Sequence, residues 1–106
     1  MPKYPLQVNY TTEGAKGLMK DGGSKRRAVA QKAAESAGGR VEAFYFGFGE
    51  TDAWVVADLP DAASAAAIAL TVSASGGASV RTTVLMTPEE VDVAVRKSPL
   101  YSAPGK

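Results

Sequence analysis

Four short runs along the chain follow the period of two that marks a strand buried on one side. In Lys3–Tyr10 the residues Tyr4, Leu6, Val8 and Tyr10 fall on one face, and Gln7 and Asn9 fall on the other. Pro5 predicts that the strand begins with an incomplete ladder. Arg40–Phe48 and Asp52–Leu59 are rich in aromatic and β-branched side chains and are joined by Gly49-Glu50-Thr51. They predict an antiparallel hairpin. Ala78–Met86, rich in Val and Thr, predicts the fourth strand.

Helical patterns fill the intervals. Thr11 and Thr12 offer N-caps to a segment running to Ala37, broken at Asp21-Gly22-Gly23 and restarted with Ser24 as cap. In its second part Ala28, Val29, Lys32, Ala33 and Ser36 track one face, and Gly38-Gly39 stops it. Asp61 caps Ala62–Ser73, which is nearly all alanine and so able to lie close to a sheet. Thr87-Pro88-Glu89-Glu90 has a threonine cap, proline at the first position and a capping-box acid, and predicts a helix to about Lys97. Residues 1–98 read as one domain and 99–106, with Pro99 and Pro104, as a tail.

The order β-α-β-β-α-β with an added C-terminal helix predicts an α+β, ferredoxin-like fold: a four-stranded antiparallel sheet with both main helices on one face. The other face stays open. Small and apolar positions assigned to the helix side are Leu6, Val8, Tyr10, Ala43, Tyr45, Gly47, Ala53, Val55, Ala57, Val80, Thr82, Val84 and Met86. That leaves Gln7, Asn9, Phe44, Phe46, Phe48, Trp54, Arg81 and Thr83 on the open face. So large an aromatic patch needs a cover. A two-fold homodimer or higher homo-oligomer provides one, enclosing a space between sheets with a few polar groups in an apolar setting. Gln7, Asn9, Phe44, Phe46, Trp54, Arg81 and Thr83 are therefore candidate ligand-pocket residues. The plainer reading has the polar members bonding one another across an interface.

Composition narrows the chemistry. The chain has 106 residues, 45% hydrophobic and 22% charged, enough for one core. A formal charge of +1 gives no electrostatic reason to expect nucleic acid or an anionic membrane as partner. With no cysteine there is neither disulfide nor thiol chemistry. With no histidine the commonest general base and haem or metal ligand is missing, so neither a metal nor a cofactor is expected. The N-terminal stretch lacks the apolar core of a signal peptide, and Ala62–Val72 is too short to span a bilayer, so a cytoplasmic location is expected. Lys25-Arg26-Arg27 is the one basic run, read as a solvated helix face or a grip on phosphate. Glu50 and Asp52, near the hairpin tip, form either an acid–base pair or a turn in which Asp52 accepts backbone N–H groups.

Around that tip, GGRVEAFYFGF, then Gly49-Glu50-Thr51-Asp52, then AWVVADLPD, the chain resembles the GYD domain family. Supporting matches are the VNYTTEG start, the KR-rich helix ending in GG, and VRTTVLMTPEE; the likeness runs from about Tyr4 to Val93. The resemblance implies a ferredoxin-like fold of the dimeric α/β-barrel type and no particular activity. Thr51 stands where the family's Gly-x-Tyr-Asp turn has tyrosine. Two functions are then open: a homo-oligomeric small-ligand-binding or assembly module, or a cofactor-independent monooxygenase or isomerase in which Asn9 and Arg81 polarise an oxygen of a small aromatic or enolisable substrate.

Overall fold

A computed structural model describes residues 1–106. The elements are β1 (Lys3–Tyr10), α1 (Thr12–Asp21), α2 (Gly23–Ser36), β2 (Arg40–Phe46), β3 (Ala53–Asp58), α3 (Ala62–Ala74), β4 (Ala78–Thr82) and α4 (Pro88–Lys97). The strands form one antiparallel sheet in the order β2-β3-β1-β4, the ferredoxin-like order, with α2 and α3 on one face. The central pair, β1 and β3, carries most of the sheet's buried residues. Their inward residues Tyr4 and Ala57 join Ala34 of α2, Leu59 and Ala65 of α3 in the buried cluster, with Ala37, Val41 and Ile68 packed against it.

Helix ends follow the local chemistry. The Thr11 hydroxyl accepts from the Gly14 N–H, and Asp61 accepts from both the N–H and the hydroxyl of Ser64, which holds its carboxyl below the ordinary range. Thr87 and Glu90 close a full capping box at α4. Gly22, at φ 82°, breaks α1 from α2 and stands in the cap position, so Ser24 lies within α2 and does not cap it. A Cβ on Gly39 would strike the Asp58 carbonyl, so this position between α2 and β2 needs glycine.

Three strand expectations are corrected. First, a bulge between Val41 and Ala43 shifts β2 by one residue, so Phe44 pairs with Val55, Tyr45 with Trp54 and Phe46 with Ala53. Phe44 and Phe46 therefore face the helices, where the Phe46 ring lies against Gly23, and Tyr45 faces outward, 70% exposed. Second, β4 ends at Thr82, not Met86. Thr83 donates its N–H to Pro5 O at 3.1 Å, but proline has no N–H to return, and the ladder becomes one-sided. Third, the hairpin link is the six-residue segment Gly47–Asp52, closed by Gly47 N–H to Asp52 O at 2.9 Å.

The packed side of α2 runs through Arg26, Ala30 and Ala34 to the C-cap Ala37; of the expected face, Val29 also lines the cavity and Ala33 is half-buried, but Ala28, Lys32 and Ser36 are exposed. No residue of α4 is buried, and the molecule is 56 Å along its longest axis. No helix is long and apolar enough to cross a membrane.

Candidate functional site

Between the sheet and the helices lies an apolar cavity of about 90 Å³. Its floor is the helix-side residues of the sheet, among them Leu6, Val8, Phe44 and Val55; its roof is Ala30 and Ala34 of α2 with Ile68 and Val72 of α3. The cause is in the helices. Alanine lets them sit near the sheet but supplies too little side chain to fill the gap beneath. Fourteen of the fifteen lining residues are hydrophobic, and the exception is Arg26.

Arg26 stands at the mouth with the half-buried Tyr10. Burial pushes the Tyr10 phenol up, as does the Asp52 carboxylate, while the neighbouring Arg26 guanidinium opposes the rise. A more polar recess of about 190 Å³ shares Tyr10, Arg26, Val72 and Ala78 with the cavity and adds Asp21 and Ser75. The basic run is thus divided. Lys25 pairs with Asp21 at 3.5 Å, Arg26 turns inward, and Arg27 lies along the β2 edge.

The opposite face carries a row one residue deep across all four strands: Tyr45 on β2, Trp54 on β3, Gln7 on β1 and Arg81 on β4. Thr83, hydrogen-bonded to Pro5, extends this side, and Asn9 pairs with Ser79 one step along. Of the residues proposed from the sequence, Gln7, Asn9, Trp54, Arg81 and Thr83 are brought together here. Phe44 and Phe46 are not; they stand on the helix side, 5.1 Å apart, and Phe48 stacks on Phe46 at 5.6 Å.

The Gly49–Asp52 turn is tied to β1. The Thr51 hydroxyl, 6% exposed as a residue, donates to Gln7 Oε1 at 3.1 Å. The Asp52 N–H donates to Asn9 Oδ1 and Val8 O, both at 3.0 Å, and Asp52 Oδ2 accepts from the Tyr10 N–H at 2.9 Å. The bond to a backbone N–H was legible in Asp52; that its donor is Tyr10, far along the chain, was not. Gly49 and Glu50 are exposed at the tip. No group of three or more carboxylates stands close enough to hold a metal ion.

Arg26, Tyr10 and Tyr45 were missed as site residues. The signal for Arg26 was its spacing with Ala30 and Ala34 at i+4 and i+8, which places a cation on the buried stripe.

A family model described as GYD domain matches residues 4–95, and the chain belongs to that family. Comparison with curated proteins and with solved structures found no match.

Proposed function

We propose that this GYD domain protein is a small-ligand-binding module that assembles as a homodimer through the open face of its sheet. The cavity between sheet and helices carries the reading. It is apolar, shaped by four secondary-structure elements or more, and has one cation at its mouth, the make-up of a small-molecule site. This moves the ligand space from the sheet–sheet gap expected from the sequence to the helix side.

The open face supports assembly. Tyr45 and Trp54, 70% and 45% exposed, form an aromatic cross-strand pair with Val56 beside it and no cover. A second copy related by a two-fold axis would place the same row against itself. Asn9 and Arg81, which an enzymatic reading would use, are dissimilar in setting: Asn9 is committed at its carbonyl to the Asp52 N–H, and Arg81 is exposed with no ion-pair partner. Ligand binding therefore has the stronger support.

Native mass spectrometry of gently purified protein, before and after denaturation, tests both halves. A dimer is expected, with added mass that leaves on denaturation. Trp54→Glu is expected to give a folded monomer, since it sets like charges together at a two-fold contact. A monomeric wild type would overturn the assembly half. Failure of the cavity to take any apolar probe would overturn the binding half.

A further inference from the structure

We infer that the cavity's ligand is a short-chain carboxylate, its aliphatic end under α2 and α3 and its head on Arg26 and the Tyr10 hydroxyl. The inference rests on the ligand-binding reading above and adds the chemical class.

Three observations carry it. The first is charge. Arg26 takes part in none of the five ion pairs of the chain, and Asp21, the last residue of α1 and a lining residue of the same recess, is already paired with Lys25. An unpaired guanidinium facing an apolar wall favours an anion and repels an amine.

The second is donor geometry. Arg26 and Tyr10 both line the cavity and the outer recess, so a guanidinium and a phenolic hydroxyl stand together where the two spaces meet. Both groups can donate, and a carboxylate placed there would accept from the two at once.

The third is size. An engineered apolar cavity of about 150 Å³ takes up benzene, so a space of about 90 Å³ holds about three or four carbon atoms. An aliphatic tail of that length, with a carboxylate at its end, brings the charge to the rim where Arg26 stands. Anything larger must extend into the recess that also holds Asp21 and Ser75.

The test is an NMR titration of the full chain, ¹⁵N- and methyl-labelled, with pentanoate, pentan-1-ol and pentylamine as probes. Pentanoate is expected to shift the resonances of Val55, Ile68 and Val72 and to bind at least about tenfold more tightly than the alcohol, with the amine weakest. Arg26→Gln, with its melting temperature unchanged, is expected to bring pentanoate within about twofold of the alcohol. Tyr10→Phe keeps the ring and is expected to lower the preference about threefold, which keeps the question decidable if the Arg26 variant fails to fold.

Alcohol binding as tight as pentanoate, with the same residues shifting, overturns the carboxylate assignment and leaves the cavity a ligand site. A preference that survives both substitutions also overturns it. No shift at these residues with any probe removes the binding reading itself.

Discussion

On the helix side of the sheet, Phe44, Val55 and Leu6 lie in a row under α2 and α3, yet a cavity remains above them. On the other side, Tyr45, Trp54, Gln7 and Arg81 make an equally continuous row with nothing above it. The first face is covered but not filled. The second has side chains enough to fill an interface but no cover. Covering and filling are separate requirements: a helix of alanine meets the first cheaply in shape and leaves the second to something else.

Neighbouring substitutions on one strand separate the faces most sharply. Ala57, 1% exposed, looks at the helices, and Val56 looks away. Ala57→Asp is expected to remove about 4 kcal/mol or more, the cost of shifting a buried carboxyl by roughly three pH units. Urea unfolding should then show little folded protein. Val56→Asp is expected to cost about 1 kcal/mol in strand preference and act chiefly on assembly. Equal losses at the two positions would break the contrast between the faces.

A smaller effect is expected at the hairpin tip, which closes the end of the open face. Asp52→Ala removes a charged acceptor from the Tyr10 N–H and should cost about 1.5 kcal/mol, with faster hydrogen exchange at that amide. Asp52→Asn keeps an oxygen there and should cost less. Equal exchange in all three proteins would show that the tie does not hold the tip.

The smallest effect belongs to the sheet's far corner. Asp58 is held below the ordinary carboxylate range, first by the Lys3 hydrogen bond at 3.0 Å and then by Arg40. Lys3 is raised by Glu42 and Asp58. A lowered acid contributes stability above its unfolded pKa and loses it as pH falls through the folded value; a raised lysine contributes below its unfolded pKa and loses it as pH rises through the folded one. Stability from this cluster thus spans the range between the two and fades toward both extremes. Asp58→Asn should flatten the acid side of the urea-midpoint profile, modestly because Lys3 is exposed. An unchanged acid limb would assign the acid sensitivity to other groups.

Much of this architecture was legible in the residues. Period-two alternation placed Gln7 and Asn9 opposite Leu6 and Val8, and Trp54 opposite Val55, as the register of β1 and β3 shows. Thr87-Pro88-Glu89-Glu90 announced the start of α4 with its caps. The β2 register was not legible, because Phe44, Tyr45 and Phe46 are all strand-formers and nothing local marks the bulge between Val41 and Ala43. The cavity was hidden for a different reason. Alternation tells which way a side chain points but not how much volume the opposing helix returns, and that depends on the stripe through Arg26, Ala30 and Ala34.

The capping box of α4 has one further consequence. None of its ten residues is buried, and helices with little tertiary packing persist in water only from about twelve to fifteen residues. Thr87 and Glu90 lower the cost of nucleation, but propagation over so short a span yields little in return. The segment thus leans on its own caps, and the exposed Val91–Val95 side is where any surface laid against it would add the packing that it lacks.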